Sequence, residues 1–269
     1  MGFFDKLFRN EQPKPVEPPS EDIANAIIEY LGCSSTILEF GLSADSMWQQ
    51  YIEALKRGRR AGFTPVLLEA SDALLDMLTI AAEDNGGVEN CRNTLLSEPV
   101  AEGKTWLDNR FDWWMEQLED GGEYPLTDEE LNELHGKFTG ADGFGTGPHS
   151  LDCKWRPKSV WLLAEIPTKN PWEVFAWVLF GGWNECPSNK ALMCVIKYWY
   201  ETFGAVPAIV TNDVLELYVA QPITDRDIAY QIAIRQYGFC NDAVEQGVGS
   251  IRALAEALVN SKIWYFWWD

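Results

Sequence analysis

The sequence predicts an α+β protein. We expect a mixed or antiparallel sheet flanked by helices in the C-terminal part, and a helix-rich, acidic N-terminal part with a few strands. The first observation is the composition, since 46% hydrophobic and 23% charged residues in a chain of 269 are typical of a folded globular protein. The second is the order of apolar runs and capping residues after residue 159, which indicates strand, helix, strand, strand, helix, helix and strand.

Proline, glycine and charge divide the chain into three regions. Residues 1–19 are expected to form a flexible tip and a proline-rich tether, because the prolines between 13 and 19 exclude a helix. Residues 20–150 are an acidic, helix-rich region with short strands, and residues 151–269 are an α+β domain. The glycine-rich stretch 136–150 is typical of a linker, so two separate domains and one shared core both remain open.

In the N-terminal region, capping side chains precede apolar stripes of helical spacing. Ser20 and Ser71 stand at such positions, and Thr127 and Glu130 form a capping box. The predicted elements are a helix at 20–31, a strand at 36–40, a helix at 43–57, a strand at 66–68, and helices at 71–82, 106–118 and 127–135.

In the C-terminal region, the turn signals are clearer. Ser188 caps a helix that Gly204 ends, and Asn212 and Asp213 form a hairpin signal. The predicted elements are a strand at 160–166, a helix at 188–203, strands at 208–211 and 214–220, a helix that a box of Thr224 and Asp227 opens and that runs to 237, a helix at 251–258, and an aromatic strand at 263–268. We expect that last strand to be buried with one exposed face.

One internal similarity links the two regions. The segments 61–68 and 203–210 both follow a helix with an aromatic face, and both place a proline three residues after a glycine and before an apolar run. A repeated helix–strand unit and common turn chemistry both explain this pattern.

The charge is strongly negative and unevenly distributed. There are 21 Lys and Arg against 41 Asp and Glu, a net of −20, and residues 98–142 alone hold 13 acids against 3 bases. Nucleic acid is therefore excluded as the expected partner, since binding phosphates needs a basic surface. Acids at helical spacing form a candidate face for a basic protein partner, with a solvated face as the alternative: Asp112, Glu116, Glu119, Asp120 and Glu123.

The remaining composition argues for a cytoplasmic protein. The six cysteines are scattered without a CxxC pair, which is typical of reduced thiols rather than a disulfide scaffold. No apolar run is long enough to span a membrane, and no nucleotide-binding or hydrolase motif occurs, so no cofactor is predicted. His135, His149 and Cys153 lack the spacing of zinc ligands, so no metal site is predicted either. The oligomeric state remains open.

A set of ordered motifs occurs in the C-terminal region. They are FGGWNECP at 180–187, YWYETFGAVP at 198–207, TNDVLEL at 211–217, QYGFCNDAVEQGVGS at 236–250 and WYFWWD at 264–269. This set resembles an uncharacterised, mainly bacterial family, the domain of unknown function 4253. The resemblance covers about 160–269 and implies one folding unit that ends at the C-terminus. It implies no activity, so no catalytic role is carried over.

The loop at 181–187 is the best candidate site. Its two glycines allow backbone to approach a ligand, Trp183 offers a stacking face, and Asn184 and Glu185 offer hydrogen bonds. Cys186 precedes a predicted helix, whose N-terminus favours a thiolate, so it is the one candidate nucleophile. A structural turn with Trp183 in the core and an inert Cys186 is the alternative.

A polar junction between two predicted helices is the second candidate. Tyr237, Asp242 and Gln246 lie there, and such groups either bind a ligand or satisfy helix ends.

Two hypotheses of function follow. The first is a non-enzymatic interaction protein whose acidic surface binds a basic partner, as immunity proteins that neutralise basic toxins do by analogy. Acids that are buried or paired inside the protein would argue against it. The alternative is a small-molecule-binding protein or enzyme with its site at the GGWNEC loop, which requires a pocket that joins this loop to the polar junction.

Overall fold

The structure is a computed structural model, and it describes residues 21–121, 125–140, 147–152 and 159–269. The tip and tether expected at 1–19, and the cap expected at Ser20, lie outside the described residues. The helices are α1 (Asp22–Leu31), α2 (Ala44–Ala61), α3 (Asp72–Asp84), α4 (Val88–Ser97), α5 (Gly103–Glu116), α6 (Asp128–His135), α7 (Asn189–Phe203), α8 (Arg226–Phe239) and α9 (Ile251–Leu258). The strands are β1 (Ser35–Ile37), β2 (Thr64–Ala70), β3 (Val160–Ile166), β4 (Ala205–Val210), β5 (Val214–Val219) and β6 (Ile263–Trp267). The segments Gln117–Gly121 and Ala243–Val248 are π-helical.

The six strands form one mixed sheet in the order β1-β3-β2-β4-β5-β6. β2 and β4 run parallel, and the other neighbouring strands run antiparallel. The predicted α+β fold class is therefore confirmed. β3, which follows residue 150 in the chain, lies between β1 and β2, which precede it. The strands on both sides of the glycine-rich stretch thus belong to one sheet.

Helices cover both faces of this sheet. On one face, α1, α3, α7, α8 and α9 contribute to a large apolar cluster that includes Val66 and Leu68 of β2. On the other face, α2 packs Tyr51 and Leu55 into a smaller cluster that includes Leu67. The alternation of neighbouring β2 residues between the two clusters follows from the two-residue period of a strand.

The two similar segments, 61–68 and 203–210, meet in the sheet. The parallel pairing places Leu67 opposite Ile209 and Leu68 opposite Val210, so corresponding positions of the two segments are partners. The preceding helices, however, pack on opposite faces, because α2 belongs to the smaller cluster and α7 to the larger one. The segments therefore share turn chemistry and strand register without sharing the packing of a repeated unit.

Pro207 lies within β4, between two neighbouring strands, although proline lacks the N–H that a central strand needs. The β4–β5 register shifts between Pro207 and Ile209, so the proline stands at an irregularity of the ladder. The Tyr51 hydroxyl of α2 donates to the Pro207 carbonyl at 3.0 Å. This buried bond links α2 to the sheet at the irregularity of the β4–β5 ladder.

Local prediction failed at several element boundaries. Asp225, not Thr224, caps α8, because its carboxylate accepts hydrogen bonds from the N–H groups of Asp227 and Ile228. α4 is not predicted from the sequence, because its polar residues give little apolar periodicity. Packing of Cys91 against the core supports this helix. β1 is shorter than the strand predicted at 36–40, because its pairing with β3 covers Ser35–Ile37.

β6 forms one edge of the sheet and is the centre of an aromatic cluster. Trp264, Phe266 and Trp268 are buried on the face of the large apolar cluster, where Trp199 of α7 stacks on Phe266 at 5.4 Å between ring centroids. Tyr265 is half-buried on the other side, as the prediction of one exposed face requires. Among the described residues, no helix is long and apolar enough to cross a membrane.

Candidate functional site

The loop at 181–187 folds tightly onto the start of α7. The N–H of Gly181 donates to Asn189 Oδ1 at 3.0 Å, and the N–H of Cys186 donates to the Trp183 carbonyl at 2.9 Å. A Cβ atom on Gly181 would lie 2.0 Å from the Pro187 carbonyl oxygen, so glycine is needed for this close approach. The sequence predicts a close approach at the two glycines, and the structure identifies the Pro187 carbonyl as the group that lies close to Gly181.

The three polar or aromatic residues of the loop already have partners. Trp183 is half-buried and donates its indole N–H to the Phe180 carbonyl at 2.8 Å. Asn184 Nδ2 donates to the main-chain oxygen of Asp269 at 2.7 Å. Glu185 forms an ion pair with Arg110 of α5 at 2.5 Å. The loop is therefore held by α5 and by the end of the chain.

Cys186 lies in the apolar core beneath this loop and is 4% exposed. Burial, and secondarily the nearby Cys240, raise the pKa of the Cys186 thiol well above its ordinary value. Burial likewise raises the pKa of Cys240 to about 12, and its Sγ donates to the Trp267 carbonyl at 3.0 Å. Both sulfurs are protonated at neutral pH, which favours an inert structural role for Cys186 over a nucleophilic one.

Trp183 lines an open groove of about 630 Å³. We call this the Trp183 groove. Its other wall comes from α3, the β4–β5 turn and the end of the chain, and it carries Asp76, Asp84, Asp213 and Asp269. Among the described residues that line it, none is Lys or Arg. The groove is therefore acidic and aromatic.

The polar junction satisfies its own hydrogen bonds. The Tyr237 hydroxyl donates to Glu245 at 2.6 Å, and Gln246 Nε2 donates to Asp242 Oδ1 at 2.9 Å. Burial, followed by the bond to Glu245, raises the pKa of Tyr237, so the hydroxyl keeps its proton. These bonds join side chains to one another and cap no backbone group at a helix end.

Asp269 joins the two candidate segments. Its main-chain oxygen accepts a hydrogen bond from Asn184, while its N–H donates to Asp242 Oδ2 at 3.1 Å. The GGWNEC loop and the polar junction therefore lie on either side of the end of β6. Trp183 and Asp242 line two different cavities, so neither of these cavities is the single pocket that the small-molecule hypothesis requires.

A second cavity of about 330 Å³ lies beside β6 on the side of the polar junction. We call it the β6 pocket. Its walls come from β6, α8, α9 and the π-helical segment, and the residues that line it are His149, Gln236, Asp242, Ala243, Gly247, Val248, Leu254, Leu258, Ile263, Trp264, Tyr265 and Trp267.

Gln236 is not among the residues that the sequence predicts, although it lines the β6 pocket and is 1% exposed. Its Nε2 atom is buried and has no hydrogen-bond partner among the described residues. The available signal was its position one turn after Ile232 and next to Tyr237, on the buried stripe of α8. A glutamine on a buried helical stripe needs a polar partner, and the sequence offers no way to identify that partner.

Some acids of the stretch 98–142 form ion pairs or capping bonds within the protein. Asp108 pairs with Lys104 and with Arg235, each at 2.7 Å. Burial is the largest single effect on the pKa of the Asp108 carboxyl and raises it, but the two cations together outweigh burial and lower this pKa below its ordinary value. Glu98 pairs with Lys190 at 2.9 Å, and Glu130 closes the capping box of α6. Asp108, Glu98 and Glu130 therefore have structural roles in the folded chain.

Three of the predicted interaction residues are exposed, namely Asp112, Glu116 and Glu119. None of them forms an ion pair with another residue that the structure describes. The side chain of Asp120 and the whole of Glu123 lie outside the described residues. We call the three described residues the acidic surface.

No group of three or more His, Cys, Asp or Glu side chains suited to a metal ion occurs in the described part of the chain. His135 Nδ1 bonds to the Tyr230 hydroxyl at 3.1 Å, and the His149 ring packs edge-on against Tyr265 at 5.5 Å. Cys153 lies outside the described residues.

Comparison with known proteins identifies the C-terminal part. Residues 162–269 match a family described as a domain of unknown function (DUF4253), which confirms the resemblance seen in the motifs. The match begins within β3, so it covers α7–α9 and β4–β6 but not β1 or β2. No curated protein matches the chain, and no solved structure matches it.

Proposed function

We propose that the protein is a non-enzymatic binding protein and that its acidic surface, on α5 and the π-helical segment after it, binds a basic protein partner. The observation that carries this proposal is that Asp112, Glu116 and Glu119 are exposed and form no ion pair with a residue that the structure describes, whereas Glu98 and Asp108 of the same stretch are paired. Unpaired surface carboxylates accelerate association with a basic partner and select against acidic ones.

The surroundings of the acidic surface support this assignment. Trp113 on the same helix is 40% exposed, and aromatic side chains are frequent anchors at protein interfaces. The nearest base on α5, Arg110, lies over the Trp113 ring at 4.3 Å and is paired with Glu185. Its charge is therefore already balanced and does not oppose a basic partner.

The test compares two triple variants with the native chain. Asp112→Asn, Glu116→Gln and Glu119→Gln together remove the acidic surface. Glu39→Gln, Asp45→Asn and Glu53→Gln remove three exposed charges from and near α2, which packs on the opposite face of the sheet. Partners captured from the source cell's lysate at low and high salt are identified by mass spectrometry, and the affinity of each is then titrated.

The expected partner is basic, and removal of the acidic surface weakens its binding by roughly tenfold and flattens its salt dependence. The α2 variant leaves both unchanged. A partner that binds both variants equally, or the absence of any salt-sensitive basic partner, contradicts the proposal.

Small-molecule binding is a second candidate function. The specific observation in its favour is the β6 pocket with the unpartnered Gln236, not the GGWNEC loop, whose polar side chains already have partners.

A further inference from the structure

The β6 pocket has a mostly apolar wall. Leu254 and Leu258 of α9, Val248 of the π-helical segment, and Ile263 of β6 line it, together with aromatic rings of β6. Its volume of about 330 Å³ lies at the small end of the range of roughly 300–1,000 Å³ that small-molecule sites occupy. The shape and lining therefore suit one small, largely apolar molecule.

The π-helical segment Ala243–Val248 shapes one side of the pocket. Such segments are rare and frequently occur at functional sites. A Cβ atom on Gly247 would meet only the Asp242 carbonyl oxygen, at an ordinary 3.6 Å, so this wall is open where the glycine faces the pocket region.

Two fully buried side-chain nitrogens of the residues that line the pocket lack a partner in the described structure, and both are donors. Gln236 Nε2 is buried without a partner among the described residues, and so is the indole Nε1 of Trp264. An indole nitrogen is a donor only, and an amide nitrogen carries two N–H groups. Buried donors without a partner are costly and rare, so an acceptor supplied from outside the chain would stabilise this arrangement.

Gln236 carries more of this argument than Trp264 does. Trp199 and Trp268 also have unpaired indole nitrogens, although neither lines the pocket. All three tryptophans pack edge-to-face in the aromatic cluster, where ring faces are weak acceptors. Gln236 supplies the unpartnered buried amide nitrogen among the described residues that line the pocket.

The charge of the lining restricts the ligand further. None of the described lining residues is Lys or Arg, so an anionic group would lack a counter-charge. The carboxylate of Asp242 accepts one bond on each oxygen, from Gln246 and from the Asp269 N–H, and its negative charge repels an anionic group. A neutral oxygen acceptor fits both conditions.

We infer that the β6 pocket binds a neutral, largely apolar ring compound that carries a carbonyl oxygen, and that Gln236 Nε2 donates a hydrogen bond to this oxygen. The site rests on the second candidate function and does not depend on the acidic surface. The carbonyl sets the orientation of the compound, while Leu254, Leu258 and the β6 aromatics contact its ring.

The test uses the full chain and a panel of neutral ring ketones and lactams, each matched to the same skeleton without the carbonyl. 1-Tetralone and tetralin are the first pair, and the anion 1,2,3,4-tetrahydro-1-naphthoate is the charged comparison. Affinities are measured by ligand-observed NMR for the native chain, for Gln236→Leu, and for Gln231→Leu. Gln231 is exposed on the same helix, so its variant is a matched control.

We expect carbonyl compounds to bind more tightly than their partners without the carbonyl, and more tightly than the anion. Gln236→Leu should weaken carbonyl binding by about fivefold to tenfold without changing tetralin binding, since one neutral hydrogen bond is lost. Gln231→Leu should change neither. Equal affinity of 1-tetralone and tetralin, equal affinity of the two leucine variants, or no binding by any carbonyl compound in the panel overturns the inference.

Thermal unfolding without added compound is an independent readout. Gln236→Leu should raise the melting temperature, because it replaces an unpaired buried donor by an apolar group. A lower melting temperature would show that Gln236 has a structural partner, and would also overturn the inference. Capture of a basic partner should be unaffected by Gln236→Leu, so failure of the pocket and failure of the acidic surface are distinguishable.

Discussion

Glu216 is a buried carboxylate on β5 that holds a neighbouring segment against the sheet. Its two oxygens accept the backbone N–H groups of His149 at 2.9 Å and Ser150 at 2.7 Å. Burial raises its pKa above the ordinary 4.5, while the bonds to Ser150 and His149 oppose this effect. The proton is therefore held more tightly in the folded chain than in the unfolded chain.

This shift predicts how stability depends on pH. A carboxyl with a raised pKa contributes stability that is fully present below its ordinary pKa and is lost as the pH rises through its folded pKa. Glu216→Gln is neutral throughout. The unfolding free energy of the native chain, minus that of Glu216→Gln, should therefore fall as the pH rises from about 4 to about 8. Urea denaturation across this range measures it, and a difference that grows with pH would contradict the direction of the shift.

At the scale of single residues, the sequence predicts which polar residues lie near one another in one junction but does not predict every residue that lines the neighbouring pocket. The sequence predicts Tyr237, Asp242 and Gln246 as a polar junction, and the structure places them together with Glu245. It does not select Gln236, because a glutamine is recognisable as buried only once α8, α9 and β6 have packed. Their roles in ligand binding remain predictions.

At the scale of elements, two glycines set the position of the acidic helix α5. A Cβ atom on Gly103 would lie 2.1 Å from the Cys194 carbonyl oxygen of α7. On α8, a Cβ atom on Gly238 would lie 2.9 Å from the backbone nitrogen of Phe111 in α5. The backbones of α7 and α8 thus approach α5 more closely than any larger residue at these positions allows.

Gly103→Ala tests this close approach. The added methyl group forces α5 away from α7, so we expect a loss of about 1–3 kcal/mol in the free energy of unfolding. Gly147→Ala is the control, since no atom of the described residues lies within 4 Å of the added atom there, and its effect should stay within about 0.5 kcal/mol. Urea denaturation measures both. Equal stabilities of the two variants would show that α5 adjusts its position without cost.

Element boundaries were predicted well where a local cap defines them. The helix predicted at 188–203 is α7, because Ser188 caps its start and Gly204 adopts the left-handed conformation at its end. The strand predicted at 160–166 is β3. α4 was missed, because tertiary packing rather than local periodicity supports it.

At the scale of the whole molecule, the interleaved sheet joins the two larger regions. β3 is the first strand of the C-terminal region, and it pairs with β1 and β2 of the N-terminal region. Without the N-terminal region, β3 would therefore lose both of its neighbouring strands. Apolar side chains from α1 and α3 also share a cluster with those of α7, α8 and α9. We therefore predict that residues 20–150 and 151–269 form one folding unit.

This architecture predicts one cooperative unfolding transition for the full chain. Urea denaturation followed by tryptophan fluorescence and by far-ultraviolet circular dichroism should give coincident curves, because neither region keeps its sheet partners when the other unfolds. Two separated transitions would show that residues 20–150 and 151–269 unfold independently.

The sequence by itself determined the fold class, the order of elements after residue 159, the caps of α6 and α7, and the C-terminal family resemblance. These features depend on local periodicity, turn chemistry and motifs, which neighbouring residues encode. Only the tertiary structure decided that β3 inserts between β1 and β2, which acids are paired, and that Gln236 faces a pocket beside β6. These features depend on contacts between residues far apart in the chain, and local periodicity carries no information about which distant segments meet.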